Sequence, residues 1–143
     1  MTKLTLIDRA FFLKKIPLFA ALDLELLLAI AEKLHMMSYE PQDQIFGIME
    51  EANRMYFIVK GYVEIKNGEN LTLATLQAED FFGDESLFSE KPRAYRAVSK
   101  TESILLSLTR THLLTTISEC PSVAIGLLQA YTSMTNFRPR AVN

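Results

Sequence analysis

The chain is poor in the residues on which metal sites, disulfides and nucleophilic catalysis depend. Its 143 residues include one cysteine and two histidines. A single cysteine, Cys120, excludes a disulfide within the chain and favours a reducing compartment. Cys120, His35 and His112 lack the spacing of a metal site and complete no catalytic triad. We therefore expect no bound metal, no catalytic residues and no enzymatic activity.

Large basic surfaces and long apolar runs are also missing. The formal net charge is −2, and acidic and basic residues alternate along the chain, which is atypical of a nucleic-acid-binding domain. No apolar run approaches the ~20 residues that a membrane span needs. Charge interrupts the first apolar stretch early, unlike in a signal peptide. We expect a cytoplasmic protein that contacts neither nucleic acid nor membrane.

The composition that is present, 49% hydrophobic and 22% charged, is that of an ordinary globular domain. The pattern along the chain changes from helical to strand-like and back to helical. We predict one domain over residues 1–143, with helices at about 5–34, a β-roll at about 36–108 and helices at about 109–135. Its fold class is α+β, mainly β: an antiparallel β-roll or jelly-roll barrel flanked by N-terminal and C-terminal helices.

Local signals support these boundaries. Pro17 ends a first helix, and Asp23 is a suitable N-cap for a second. Thr109 or Thr111 can cap a third, and Pro121 fits the first position of the last. Between them, short runs rich in β-branched and aromatic residues alternate with turn signals, as in small antiparallel barrels.

Two segments carry further strand signals. Asn67 followed by Gly68 predicts a β-hairpin. Residues 71–76 alternate apolar and polar side chains with period two, which is typical of a strand.

The segment 80–98 says most about function. A strand end meets Gly83, a short helical turn follows, and Arg93 comes before another strand-like run. Glycine lets the backbone approach a ligand closely, and free amides at a helix start attract anions. An arginine adds bidentate, charge-assisted hydrogen bonds. This combination predicts a site for one phosphate group.

Three ordered motifs resemble a known family. They are residues 41–46 (PQDQIF), 55–65 (MYFIVKGYVEI) and 82–94 (FGDESLFSEKPRA). Together they resemble the cyclic nucleotide-binding domain of catabolite-activator-type regulators, protein kinase A regulatory subunits and cyclic-nucleotide-gated channels. The resemblance covers roughly residues 10–134, and its last motif matches the family's phosphate-binding cassette, here residues 82–93.

The resemblance implies roles for individual residues. Gly83 and the following amides would hold the cyclic phosphate, Arg93 would pair with its charge, and Asp84 would take the ribose 2′-hydroxyl. Ser86 and Ala94 would approach the ligand, and the small Ala94 favours cAMP over cGMP. The implied ligand-binding set is Gly83, Asp84, Glu85, Ser86, Arg93 and Ala94.

The chain departs from the family pattern inside the cassette. Asp84 replaces the usual glutamate and is one methylene shorter. Glu85 stands where an apolar residue is usual and adds negative charge beside an anion site. Tyr95 stands where a small residue is common and could crowd the pocket.

The family's turn glycines are also missing near Gln42, Met49 and Glu79. These positions lie in loops outside the cassette. We expect weakened turn geometry within the same fold.

Several residues have an alternative structural interpretation. Arg93 could form a surface salt bridge with Glu85 or Glu90. Asp84 could be an acid favoured only by the helix dipole. We expect the pair Phe81–Phe82 to form barrel core rather than a surface that stacks on a base.

The last helix has two interpretations as well. Tyr131 could be a lid that stacks on the purine, or it could belong to an apolar stripe that packs on the barrel. The second is favoured. Leu127, Leu128 and Met134 fit that stripe or a helix–helix dimer interface.

We therefore predict a sensor or regulatory domain that binds a cyclic nucleotide, cAMP, and relays occupancy through the C-terminal helix. One alternative is a degenerate, nucleotide-free interaction module that forms a homodimer through that helix. Another is a fragment of a catabolite-activator-type transcription factor.

Overall fold

The computed structural model describes residues 4–134, and these residues form five helices and eight strands. The predicted C-terminal boundary at about residue 135 lies just outside them. In chain order the elements are α1 Leu6–Lys14, α2 Leu24–Ala31, β1 His35–Tyr39, β2 Gln44–Phe46, β3 Arg54–Lys60, β4 Val63–Lys66, β5 Thr72–Leu76, β6 Phe81–Phe82, α3 Glu85–Phe88, β7 Arg96–Ser99, β8 Ser103–Thr109, α4 Arg110–Glu119 and α5 Ser122–Ser133.

The strands form two four-stranded antiparallel sheets. One sheet has the order β1-β8-β3-β6, and the other has the order β2-β7-β4-β5. Consecutive strands often lie in different sheets, so the connections cross between the sheets as in a β-roll. The predicted fold class, an antiparallel β-roll with N-terminal and C-terminal helices, is confirmed.

Contacts divide the chain into two compact units. Residues Met1–Ala31 and Thr116–Asn143 form a helical unit, and Glu32–Thr115 form a β unit that holds both sheets and α3. The whole cassette lies in the β unit. That residues 1–143 fold as one domain stays a prediction.

The helical unit begins with a well-capped helix. The Thr5 hydroxyl accepts a hydrogen bond from the Asp8 amide, and the Asp8 carboxylate accepts one from the Thr5 amide, both at 3.1 Å. This reciprocal pair satisfies two amides that an open helix end would leave without partners. Asp23 caps α2 as predicted, because its Oδ1 accepts the Leu26 amide at 3.0 Å. α2 ends at Ala31, earlier than predicted, and the chain is extended again from His35.

Aromatic side chains form much of the core of the β unit. Phe46, Tyr56 and Phe82 are buried together with aliphatic residues of both sheets. The rings of Tyr56 and Phe82 stack with centroids 5.1 Å apart, and Phe46 lies 5.9 Å from Tyr56. The expected core position of Phe82 is confirmed, whereas Phe81 is half-buried.

The predicted hairpin forms between β4 and β5, but its turn differs from a two-residue Asn-Gly turn. Asn67 Oδ1 accepts the amides of Glu69 and Leu71 at 2.9 and 3.0 Å. The left-handed residue is Asn70, with φ 64°, rather than Gly68. The asparagine side chain therefore organises a longer loop.

The strand predicted at residues 71–76 forms as β5. Its apolar and polar side chains alternate along the sequence, but they are not alternately buried and exposed. β5 lies at the edge of its sheet, and Leu73 is 60% exposed. Both faces of an edge strand can meet solvent, so the pattern predicts the strand without predicting a buried face.

Besides the loop at Asn70, three turns adopt left-handed backbone without glycine. Gln42, Met49 and Glu79 have φ of 73°, 70° and 76°. Their amides donate to the carbonyls of Ser99, Arg93 and Ile58, at 2.6, 2.7 and 2.8 Å respectively. The fold therefore imposes a glycine-like conformation at the positions where the sequence lacks glycine, because each amide must reach a carbonyl. Left-handed backbone costs a non-glycine residue about 1–2 kcal/mol.

This conformation leads to a stability prediction. Glu79→Gly relieves the left-handed strain, while the greater flexibility of glycine in the unfolded chain offsets about 0.5–1 kcal/mol of that gain. We expect the free energy of unfolding, measured by urea denaturation, to rise by up to about 1 kcal/mol.

Two matched controls separate the backbone effect from the loss of charge. Glu79→Ala removes the carboxylate but keeps the strain, so it should give no gain. Ala78→Gly changes a neighbour without left-handed φ and should lower stability. Equal effects of Gly and Ala at residue 79 would contradict the explanation.

Candidate functional site

The candidate site is built where β6, α3 and β7 follow one another. Gly83 follows β6, and Arg93 lies three residues before β7. The backbone of Arg93 is held by the loop after β2. The Arg93 amide donates to Glu50 O at 2.9 Å, and the Met49 amide donates to Arg93 O at 2.7 Å. These two bonds fix the position from which the Arg93 side chain extends.

The Arg93 side chain is buried, with 3% of the residue exposed. Its Nη2 donates to Arg54 O at 2.7 Å, and its Nη1 donates to Gly83 O at 3.2 Å. The guanidinium carbon lies 4.0 Å from the centre of the Phe46 ring, in cation–π geometry. Burial and these contacts contradict the interpretation of Arg93 as a surface salt-bridge residue.

The two acids proposed as surface partners of Arg93 behave differently. Glu85 Oε1 lies 3.9 Å from Arg93 Nη1, at the outer limit of an ion pair, and the Glu85 side chain is 53% exposed. Glu90 instead pairs with Arg110 Nη1 at 2.8 Å. Hydrogen bonding to Arg110 lowers the pKa of Glu90 below its ordinary value.

Gly83 is required by both backbone conformation and space. Its φ is 78°, in the left-handed region. A Cβ at this position would lie 2.9 Å from Arg93 Nη1 and 3.3 Å from Arg54 O. The missing side chain therefore lets the arginine head approach the backbone. That Gly83 also meets an anion stays a prediction.

Tyr95 contacts the same glycine through the glycine's amide. Its hydroxyl oxygen accepts a hydrogen bond from the Gly83 amide at 2.9 Å, and the Glu85 carboxylate lies close to the same hydroxyl. Its ring centre lies 5.4 Å from that of Phe46. Burial, followed by the effect of Glu85, raises the pKa of Tyr95 above its ordinary value. Tyr95 is therefore a neutral hydroxyl beside the cassette, where the sequence predicts only crowding.

The remaining predicted ligand residues differ in burial. Ser86 is buried, and its hydroxyl lies 2.7 Å from Gly83 O and 2.9 Å from Arg54 O, so it helps to hold the same two carbonyls as Arg93. Asp84 is half-buried and makes no capping bond through its side chain. Ala94 is exposed. Their contacts with a ligand stay predictions.

The proposed lid residue belongs to the other compact unit. Tyr131 is half-buried on α5, within Thr116–Asn143, whereas the cassette lies within Glu32–Thr115. Its role as a lid stays a prediction. On the same helix, Leu127 is buried and Leu128 is exposed, so the two leucines have different environments.

Two contributors to the site have no clear sequence signal. Arg54 acts through its backbone carbonyl, which every residue type possesses. Phe46 acts through its ring face, and the sequence motif 41–46 predicts only a strand there. The sequence gives one hint, since Phe46 and Arg93 lie in two motifs that resemble the same family.

Among residues 4–134, no group of three or more His, Cys, Asp or Glu side chains could hold a metal ion. In the same range, no single helix is long and apolar enough to cross a membrane, and α4 and α5 meet that test only as a bent pair. Cys120 is a half-buried free thiol.

Comparison with known proteins identifies the family. The model of the cyclic nucleotide-binding domain matches residues 36–120, more than half of the chain. This match spans β1 to the end of α4, including the whole cassette. The chain therefore belongs to the cyclic nucleotide-binding domain family, as the sequence motifs predict.

Its similar proteins are regulators and channels. The chain is 30% identical over 107 residues to the potassium channel AKT2/3 of Arabidopsis thaliana, with 73% of the chain and 13% of the channel covered. It is 28% identical over 105 residues to a CRP-like cAMP-activated global transcriptional regulator of Mycobacterium tuberculosis, with 71% of the chain and 47% of the regulator covered. The chain thus spans less than half the length of either relative.

A solved structure supports the same assignment. The N-terminal domain of a transcriptional regulator from Streptomyces coelicolor superposes with a TM-score of 0.78 at 28% identity. The match covers 85% of this chain and 88% of that domain. The similarity therefore extends over nearly a whole domain of the relative.

Three tyrosines that are at least partly buried give a pH prediction. Burial raises the pKa of Tyr39 from 10.0 to about 12, and it also raises the pKa values of Tyr56 and Tyr95. Unfolding exposes these phenols, which then ionise near pH 10. Their contribution to stability is therefore fully present below about pH 10 and is lost as the pH rises through the folded-state values.

The measurement is the free energy of unfolding from about pH 9 to 12, together with a near-ultraviolet titration of phenolate. Tyr39→Phe should flatten part of the alkaline loss of stability. A folded chain whose five tyrosines all ionise together near pH 10 would contradict the prediction.

Proposed function

We propose that the chain is a non-enzymatic regulatory domain of the cytoplasm whose cassette binds a cyclic nucleotide, cAMP. The observation that carries the proposal is the convergence of a buried guanidinium, that of Arg93, with the left-handed glycine Gly83. Both belong to the segment that the sequence predicts as a phosphate site.

The chemistry of these groups suits one negative charge. The Arg93 guanidinium contacts two neutral carbonyl oxygens, and its carboxylate neighbour Glu85 is 3.9 Å away and half exposed. Within the described residues the buried Arg93 Nε has no hydrogen-bond partner. Buried charges are stabilised by close, opposite charge. A cyclic phosphate would supply that charge, and the Gly83 amide would add a hydrogen bond.

The preference for cAMP rests on Ala94 and on the name of one relative. Ala94 is small and exposed beside Arg93, and the resemblance associates such a residue with cAMP rather than cGMP. One relative is named for activation by cAMP. We expect cGMP to bind more weakly.

The effect of ligand binding can be transmitted to the C-terminal helix through the strands that hold the site. The Arg54 carbonyl, which holds Arg93, lies on β3, and β3 pairs with β8. β8 continues directly into α4, where the Arg110 amide donates to Asn53 O at 2.7 Å. α5 follows two residues after α4. Occupancy would shift the population of two states, by an amount set by the difference in their ligand affinities.

The first experiment measures cAMP and cGMP binding by isothermal titration calorimetry. Arg93→Ala should weaken cAMP binding at least roughly tenfold, because it removes charge-assisted hydrogen bonds. Arg93→Lys keeps the charge without the bidentate fork and should give an intermediate loss. The control is Arg110→Ala, which removes an arginine from an exposed pair with Glu90.

Arg93 also supports the fold, so stability must be measured in parallel. Its loss removes donors from the carbonyls of Gly83 and Arg54, and we expect a cost of about 1–3 kcal/mol in the free energy of unfolding. A folded Arg93→Ala protein that binds cAMP as tightly as the original chain would refute the site.

A second candidate function is an interaction module that dimerises through α5. Ile125 and Leu128 are 57% and 64% exposed, and their spacing of three places them on one helix face. Exposed apolar side chains grouped on one face are typical of association surfaces. This function needs no nucleotide.

Sedimentation over a range of concentrations tests this candidate. A dimer should become monomeric in Leu128→Glu, because the new charge would be buried without a partner. Leu114→Glu, on an exposed position of α4, is the matched control. A chain that stays monomeric at all concentrations, with and without cAMP, would exclude the module.

A further inference from the structure

Three cassette residues and Tyr95, two residues beyond the cassette, form a closed ring of polar contacts. The Gly83 amide donates to the Tyr95 hydroxyl at 2.9 Å, and the Glu85 carboxylate lies close to that hydroxyl. Glu85 Oε1 lies 3.9 Å from Arg93 Nη1, and Arg93 Nη1 donates to Gly83 O at 3.2 Å. The ring therefore begins and ends at Gly83.

This ring engages the two groups that are proposed to bind phosphate. A hydroxyl oxygen of Tyr95 occupies the hydrogen bond of the Gly83 amide. A carboxylate oxygen of Glu85 lies beside the Arg93 guanidinium. One neutral and one anionic oxygen of the chain thus stand near the groups where two phosphate oxygens would bind.

We propose that Tyr95 and Glu85 act as an internal ligand of the cassette and set its affinity and selectivity for the nucleotide. A cyclic nucleotide binds by exchange: its phosphate displaces the Tyr95 hydroxyl from the Gly83 amide and the Glu85 carboxylate from Arg93. This inference rests on the proposed function of the same site.

The contacts of the internal ligand are weak enough to exchange. The Glu85 side chain is 53% exposed and pairs at 3.9 Å, and such exposed pairs contribute little to stability. The bond from the Gly83 amide to Tyr95 joins two neutral groups, whereas bonds from the same donors to a phosphate are charge-assisted and stronger. A phosphate can therefore displace both, at a reduced net affinity.

The exchange also selects among ligands. A molecule that offers only a neutral acceptor cannot replace the carboxylate at Arg93, because the guanidinium would lose its anionic neighbour. A successful ligand needs an anionic group with at least two acceptor oxygens close together. Glu85 begins α3 and Tyr95 directly precedes β7, so displacement acts on both elements.

The competing explanation is purely structural. Tyr95 could serve only to satisfy the Gly83 amide, since buried backbone amides need a partner. In that case, removing its hydroxyl would lower stability and leave nucleotide affinity unchanged or reduced. The proposal predicts the opposite change in affinity.

The test compares cAMP affinity in four single variants by calorimetry. Tyr95→Phe and Glu85→Gln should each bind cAMP roughly three- to tenfold more tightly than the original chain, where tenfold corresponds to about 1.4 kcal/mol. The controls are Tyr62→Phe, at an exposed tyrosine, and Glu90→Gln, at the acid that pairs with Arg110. Both controls should leave affinity unchanged, although Glu90→Gln makes the same change in net charge as Glu85→Gln.

A second readout follows the internal contact without nucleotide. Hydrogen exchange of the Gly83 amide, measured by NMR, should accelerate in Tyr95→Phe and stay unchanged in Tyr62→Phe. This measurement depends only on whether the hydroxyl protects the amide.

The outcomes separate the two proposals. If the original chain binds cAMP and neither cassette variant binds more tightly, the internal ligand is refuted and the proposed function stands. If no variant binds a nucleotide but the Gly83 amide is deprotected in Tyr95→Phe, the proposed function is refuted and internal occupancy stands. Unchanged amide exchange in Tyr95→Phe would overturn internal occupancy whatever the binding result.

Discussion

The burial of one positive charge determines how the cassette is built. The Arg93 guanidinium is shielded from water, and a buried charge is costly unless polar groups surround it. Its contacts come from three separate segments: the Phe46 ring at the end of β2, the Arg54 carbonyl on β3 and the Gly83 carbonyl after β6. Each contact fixes the position of one segment relative to the others. The arginine is therefore both the proposed ligand group and the centre that organises the surrounding backbone.

The same charge explains the local backbone around it. Gly83 must lack a side chain, because a Cβ would lie 2.9 Å from Arg93 Nη1. Met49 must adopt φ 70° so that its amide can reach the Arg93 carbonyl. Both the strain at Met49 and the absence of a side chain at Gly83 allow the Arg93 guanidinium to take its position.

The fold class could be predicted from the pattern of helical and strand-like runs along the whole chain and from three ordered motifs. The pair Gly83 and Arg93 could be predicted because both residues lie at fixed spacing within one segment. The contacts of Arg93 with Arg54 and Phe46 could not be predicted in this way. A carbonyl has no residue-specific signal, and both partners are about 40 residues or more away along the chain. The left-handed turns at Gln42 and Glu79 were expected to be weakened by the missing glycines, yet tertiary hydrogen bonds impose the glycine-like backbone there.

Tyr95 shows how a residue that breaks a pattern can gain a specific role. From sequence it predicts steric crowding, since a large ring replaces a small residue. In the structure the ring joins the Phe46 cluster, and the hydroxyl meets the backbone amide of Gly83. Binding then becomes a competition between internal and external oxygens for the same donors. The free energy of binding is the difference between charge-assisted bonds gained and weaker bonds lost. The residues that form the internal contacts of the nucleotide-free cassette therefore also set its affinity for the nucleotide.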